Sequence, residues 1–388
     1  MAAVPYDVVS TREARRLAAG NPLSFLRVSR AEIDFPTDAD PYSEAVYERA
    51  VRNLRELTRS APLVVEAEPS LYLYRLRTAG HEQTGLAGCF SLDEYDRDVI
   101  KRHERTRRDK EDDRTRHMVA LRAQTGIVFL TYRAAPAVDA VVFRGVGGDP
   151  LLDVSASDGV RHTVWRLSAG ETADAVAAFG GVPAVYIADG HHRIASAARA
   201  RDELAADDPA HDGRFFLGVA FPDRQVRILP YNRTVANLAG RTEAGFLAAL
   251  RSRFRVTAGG PPVPAKGRLA MYLGGRWYAI DREDGAGSTP GEEPTARLDV
   301  AILQDHILAP LLDVADIRTD PRMTFVGGAR GTEALERAVD SGAAKVAFSL
   351  AAVTPAELLA VSDAGDVMPP KSTWFEPKLR DGLLIHAI

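Results

Sequence analysis

One cysteine, Cys89, stands in 388 residues, which excludes an intramolecular disulfide and any multi-cysteine zinc site and fits a reducing cytoplasm. No apolar run reaches the roughly 18 residues a membrane span needs, and MAAVPYDVVSTREARRLAAG lacks the apolar centre of a secretory leader. The expectation is a protein that stays inside the cell, with no membrane partner. Positive charge is not in excess either. The net charge is −4 and the pI near 6.2, so no global basic field argues for nucleic acid, and no helix-turn-helix is recognisable. Any anion site must be built locally. Walker and kinase-type Gly-rich loops are absent. What is plentiful is apolar surface: 46% of the residues are hydrophobic, enough for one large or two ordinary cores.

The chemistry is concentrated between Val182 and Ala198, reading VPAVYIADGHHRIASAA. Val185, Tyr186 and Ile187 predict a short buried strand, Gly190 a sharp turn, and the alanine-rich stretch from Ile194 a helix. Such a junction leaves unpaired N–H groups at the helix start, which favour phosphate. Arg193 adds a bidentate fork, and His191 and His192 add donors. Asp189 is the odd member, because a carboxylate beside a phosphate is repelled unless a cation bridges them or it serves as a base. Adjacent histidines on a helix point about 100° apart, poor spacing for chelation, so no metal-ligand set is expected.

Elsewhere the chain gives weaker signals. Ser10 and Glu13 form a capping box for a helix over 11–19, which puts Tyr6 and Asp7 at its entrance. Residues 25–28 and 138–143 read as strands, as do 70–76, 85–92 and 126–132. Residues 158–167 read as a strand beside Tyr186, with His162 on a sheet face. Cys89 reads as a small buried residue. Arg97 to His117 holds nine Lys/Arg against six Asp/Glu. Read as one helix, it aligns His103, Thr106, Lys110 and Arg114 on a basic face beside Glu104, equally compatible with a surface salt-bridge ladder. Arg233 is a candidate anion ligand, with a surface position preferred. A pattern change near Ala236 and a Gly/Pro/Ser-rich linker over 283–294 divide the chain into 1–236 and 237–388. The chain closes on Met368-Pro369-Pro370-Lys371-Ser372-Thr373-Trp374-Phe375-Glu376-Pro377-Lys378, a rigid segment rich in donors.

These motifs, in this order, resemble the family catalogued as domain of unknown function 1015, related to the ParB/sulfiredoxin-like superfamily and to free-serine kinases. The resemblance rests on Pro5-Tyr6-Asp7-Val8, His103-Glu104-x-Thr106 with Lys110 and Arg114, Asp158-Gly159-Val160 with His162 and Trp165, Ile187 to Arg193, and Met368 to Lys378. It implies an α+β fold: a ParB/sulfiredoxin-like mixed-sheet core over 1–236 and an α/β part over 237–388 contributing the closing segment to the site. It implies a phosphate loop at Gly190–Arg193. Sulfiredoxin-like proteins place a cysteine before His-Arg; His191 stands there here, which argues against cysteine-sulfinate repair.

The activity implied is phosphorylation of the hydroxyl of free L-serine, or of a similar small hydroxy compound, with pyrophosphate, ADP or ATP as donor and Mg²⁺ on its oxygens. His191, His192 and Arg193 would clamp the donor, with Lys110, Arg114, Lys371, Ser372, Thr373 and Lys378. Glu104 or Asp189 would accept the hydroxyl proton, with Glu104 favoured because Asp189 is closer to the expected anion; His103 would orient a group or bind phosphate, Asp7 would hold the acceptor's amino group, and Tyr6 would line the substrate site. A homodimer is left open. The competing class is a non-catalytic nucleotide-binding regulator of ParB type.

Overall fold

The computed structural model describes residues 1–60, 63–205, 211–282 and 293–388. Most of the expected linker, 283–292, lies outside the described residues. The chain forms two compact units. The first comprises Met1–Arg102, Thr106–Val226 and Pro377–Ile388; the second comprises His103–Arg105 and Arg227–Glu376. The fold is a mixed α/β one.

In the first unit the strands are β1 (Tyr72–Thr78), β2 (His81–Ser91), β3 (Ile100–Lys101), β4 (Ala123–Gln124), β5 (Val128–Tyr132), β6 (Leu152–Ser155), β7 (Arg161–Arg166), β8 (Val185–Asp189) and β9 (Phe215–Pro222). The helices are α1 (Thr11–Ala18), α2 (Leu26–Ser29), α3 (Glu44–Ser60), α4 (Leu92–Asp96), α5 (Arg108–Leu121), α6 (Pro136–Gly145), α7 (Ala169–Phe179) and α8 (His191–Ala205). Eight strands make one sheet, in the order β3-β8-β5-β9-β2-β1-β7-β6. It is mixed: β3 runs parallel to β8 and β5 to β9, while the remaining pairs are antiparallel. Every residue of β5 is buried, as an apolar central strand covered on both faces should be. Val128, Leu130 and Ile187 pack with Ile194 and Ala197 of α8, so the helix that opens at the Asp189–Arg193 turn is anchored in the core. Truncating Ile187 or Ile194 to alanine would cost about 2–5 kcal/mol.

The second unit carries β10 (Ile228–Leu229), β11 (Tyr231–Val235), β12 (Phe254–Ala258), β13 (Arg268–Leu273), β14 (Arg276–Arg282), β15 (Met323–Gly327), β16 (Val346–Leu350) and β17 (Trp374–Phe375). Its helices are α9 (Glu243–Arg251), α10 (Asp299–Leu303), α11 (Ala309–Leu312), α12 (Glu333–Asp340) and α13 (Pro355–Asp363). Six strands form an antiparallel sheet, β12-β14-β13-β16-β11-β15. The last strand, β18 (His386–Ala387), pairs with β4 in the first unit.

Several expectations need correction. Residues 25–28 are helical, within and just before α2, and residues 138–143 lie in α6. Short apolar runs fit either period, and Pro136 at the first turn of α6 pre-sets a helical φ. The charge run is not one helix: α5 begins at Arg108, with Arg107 extended at its N-cap, so His103 and Thr106 do not share its basic face. β7 pairs with β1 and β6, not beside Tyr186. Cys89 is exposed, because β2 turns that side chain outward.

Candidate functional site

β8 delivers Asp189 to its end, and the chain then reverses through Gly190 at φ +113°. A Cβ at Gly190 would stand 3.3 Å from Nη1 of Arg193 and 3.4 Å from Cγ1 of Val128. Glycine is therefore required both by the backbone conformation and by the close approach of the arginine. α8 starts at the next residue, and the Ile194 N–H bonds the Gly190 carbonyl at 3.1 Å. His191 and Arg193 are buried. The Nε2 atom of His192 accepts the Arg107 N–H at 3.0 Å, which places that ring's proton on Nδ1. The same bond draws the chain out ahead of α5.

Arg193 is the centre of a polar cluster. Its side chain is 5% exposed. Nη1 donates to the Ile127 carbonyl at 2.7 Å, Nη2 donates to Asp7 Oδ2 at 2.8 Å, and Nε is buried with no hydrogen-bond partner. Burial works against the guanidinium charge, and Asp7, Asp189, Tyr6 and Asp381 more than offset it, so Arg193 is held firmly protonated. The Tyr6 ring carries two cations, with Arg114 at 4.4 Å and Arg193 at 5.7 Å from its centroid. Burial, then Asp7, pushes the Tyr6 hydroxyl up to about 12. Arg30 donates to the Tyr6 carbonyl at 3.1 Å, fixing the segment that carries Asp7.

From the end of the chain, Lys378 donates to Asp189 Oδ2 at 2.7 Å. Three residues later Asp381 is buried, with its backbone bonded in both directions to Ala3 at 3.0 Å. Burial raises its carboxyl to about 7, Arg193 opposing and Asp7 reinforcing the shift. Its Oδ2 has no hydrogen-bond partner. Between these two residues, Arg380 points to a second network: it bonds Asp158 and reaches His162 Nε2 at 3.3 Å, while His162 Nδ1 meets the Tyr74 hydroxyl at 2.9 Å. Burial, then Arg380, pulls the His162 ring down to about 4. The closing strap of the first unit thus places Lys378 and Asp381 in the Arg193 cluster and anchors itself through Arg380.

The remaining expected site residues have these positions. Arg114 joins the cluster through Tyr6 and pairs with Asp113 at 2.8 Å. Lys110 is exposed and donates to the Tyr42 hydroxyl at 3.4 Å. His103 and Glu104 belong to the second unit, where buried His103 accepts the Met368 N–H on its carbonyl at 2.9 Å. Lys371, Ser372 and Thr373 also belong there. Lys371 takes φ +57°, with Nζ 5.6 Å from the Tyr231 ring centroid, and Ser372 donates to the Pro369 carbonyl. Arg233, expected at the surface, is fully buried: it donates to the carbonyls of Tyr231, Pro370 and Lys371, and desolvation pushes it down to about 10. It braces the Lys371 turn. A cleft of about 800 Å³ in the same unit is lined by residues including Arg105, Gln304, Asp305, Arg318 and Asp366.

Sequence reasoning missed Asp381 and Arg380. The only available signal was the charged Lys-Leu-Arg-Asp-Gly run after Pro377. Among the described residues, no group of three His, Cys, Asp or Glu side chains is arranged to hold a metal ion, and no helix is long and apolar enough to cross a membrane. Chemically, the cluster sets three cations, Arg193, Arg114 and Lys378, among the carboxylates of Asp7, Asp113, Asp189 and Asp381, at the start of a fifteen-residue helix. That arrangement suits a ligand carrying both an anionic and a cationic group.

A family model described as protein of unknown function, DUF1015, matches residues 1–301. Among solved structures the chain is similar to a conserved hypothetical protein from Pyrococcus furiosus, at 14% identity and a TM-score of 0.37, covering 76% of this chain and 93% of that one. It is similar to a free serine kinase in complex with AMP, at 14% identity and a TM-score of 0.38, covering 74% and 86%. It is also similar to SbnI with a C-terminal truncation from Staphylococcus aureus, at 12% identity and a TM-score of 0.41, covering 76% and 85%. No curated protein matches.

Proposed function

The chain belongs to the DUF1015 family, and from that premise we propose that it is a phosphotransferase acting on the hydroxyl of free L-serine or a similar small hydroxy compound. The donor is pyrophosphate, ADP or ATP. The observation that carries this reading is the Gly190 turn: its backbone conformation lets a helix start and a buried, fully charged Arg193 meet at one point. That arrangement favours a phosphate group.

The residues divide the work. The positive start of α8, with Arg193 and Lys378, holds the donor phosphates, and Arg114 adds positive potential. Asp7, 39% exposed and fixed by Arg193, takes the amino group of the acceptor. In-line attack forms the bond between the acceptor oxygen and phosphorus while the bond to the leaving phosphate breaks. The hydroxyl proton passes to a carboxylate, Asp189 or Glu104. His103, Glu104, Lys371, Ser372 and Thr373 are carried in this reading by the sequence motif alone. The donor's oxygens would carry Mg²⁺, which would neutralise part of their charge.

The test is incubation with Mg²⁺, L-serine and, in turn, pyrophosphate, ADP and ATP, with O-phosphoserine measured by mass spectrometry. Product with at least one donor is expected, falling more than tenfold in Arg193→Ala. Absence of product with every donor, while a nucleotide still binds, would replace the kinase with a nucleotide-binding regulator.

A further inference from the structure

Asp381 has no part in the reading above, yet it faces the same arginine. Its surroundings are unusual for a carboxylate. The side chain is buried, and Oδ2 is without a hydrogen-bond partner. Nη1 and Nη2 of Arg193 donate to Ile127 and Asp7, and its buried Nε makes no hydrogen bond. Arg193 therefore attracts Asp381 across space without hydrogen-bonding it. A buried carboxylate in that position is poorly satisfied as an ion and well satisfied as a neutral acid. The backbone cannot relieve it, because both peptide groups bond Ala3 and the next residue, Gly382 at φ +86°, is packed against the Phe25 ring so closely that a Cβ would stand 2.7 Å from it.

We propose that Asp381 is a proton-linked positioning residue of the anion site: it takes up a proton from solvent when a polyphosphate occupies the Asp189–Arg193 turn and releases it when the anion leaves. The inference rests on the anion-binding reading of that turn. Each charged or titratable group facing Asp381 enters the balance. Arg193 on α8 and Arg114 on α5 favour its ionised form, as does the Tyr6 N–H; Asp7 at the chain start opposes it. Asp189 and Lys378 pair with each other. In the empty site the arginines keep Asp381 near the midpoint of its titration. A bound polyphosphate brings two or more negative charges toward the same arginines, and repulsion then favours the protonated carboxyl. The carboxyl's position close to neutrality, about 7, makes the exchange occur where cells operate. By linkage, protonation must tighten anion binding by the same factor.

The experiment is calorimetric titration of pyrophosphate into the full-length protein and Asp381→Asn at pH 7.5, in two buffers of different ionisation enthalpy. Pyrophosphate itself titrates in this range, so the informative quantity is the difference between the two proteins. The wild-type chain should take up a fraction of a proton more than the variant. Its dissociation constant should rise roughly three- to tenfold more between pH 6 and pH 8.5 than the variant's, the size expected for charges coupled across a partly screened site. Equal proton uptake and equal pH dependence in both proteins would overturn the proton linkage while leaving the anion site standing. Absence of binding by both proteins would overturn the anion site and the linkage with it. Should Asp381→Asn fail to fold, Asp381→Ser serves the same comparison, since it also removes the titrating group.

Discussion

Replacing Asp381 by asparagine keeps the shape of the side chain and removes its charge, and the consequence for stability follows from one number. Burial, set against Arg193, leaves the carboxyl of the folded protein at about 7, raised from the ordinary 3.8. Between those values the unfolded chain has lost the proton and the folded chain keeps it. The slope of stability with pH is then negative. Stability contributed by the protonated form is fully present below about pH 4 and is lost as pH rises to about 7, levelling above. The roughly three units between 3.8 and about 7 correspond to about 4 kcal/mol at most in the wild-type chain. Asparagine has no such dependence. The melting temperature of Asp381→Asn relative to wild type should therefore climb by several degrees between pH 5 and pH 8, measured by scanning calorimetry in low-salt buffers. A difference in melting temperature that stays constant over that range would show that Asp381 is an ordinary surface-like carboxylate and would refute the reasoning.

Three further outcomes are expected. Gly190→Ala forces a methyl to 3.3 Å from Arg193 at a φ of +113°, so it should cost about 1–3 kcal/mol in unfolding free energy and abolish pyrophosphate binding; an alanine variant that binds normally would remove the turn from the site. His162 and His117 are both pulled down to about 4 by burial, so each contributes stability above about pH 6.5 that is lost as pH falls toward 4; His162→Gln should flatten part of that acid limb in a thermal-melt series, and an unchanged limb would contradict the buried neutral ring. Arg380→Ala removes the strap's bonds to Asp158 and His162 and should loosen Lys378 and Asp381 together, seen as faster amide exchange over 377–382; unchanged exchange would mean the strap is held by its backbone alone.

How much was legible follows from the range of the interactions. Ser10 and Glu13 are three residues apart, and the capping box they announce is present with both halves formed. The strand, turn and helix around Gly190 were readable for the same reason, since β-branched residues, a glycine and an alanine-rich run each act over a few positions. α2 and α6 were misread because short apolar runs satisfy either period. The start of α5 was misplaced because the local signal there is a long-range one: the Arg107 N–H is taken by His192, 85 residues away. Asp381 and Arg380 were invisible for a related reason. Their partners, Ala3 and Asp158, stand hundreds of residues earlier in the chain, and neither composition nor spacing marks a carboxylate that will be buried with one oxygen unpaired. Arg233 shows the converse, a guanidinium expected in water and found in the core because three backbone carbonyls accept from it.

The central claim is that the Asp189–Arg193 turn holds the phosphates of a donor. Titration of pyrophosphate into the wild-type chain and into Arg193→Ala, at one pH and one salt concentration, tests it most directly. Saturable binding that weakens at least tenfold in the variant, with its fold verified by circular dichroism, is the predicted result. Equal affinity of the two proteins would contradict it.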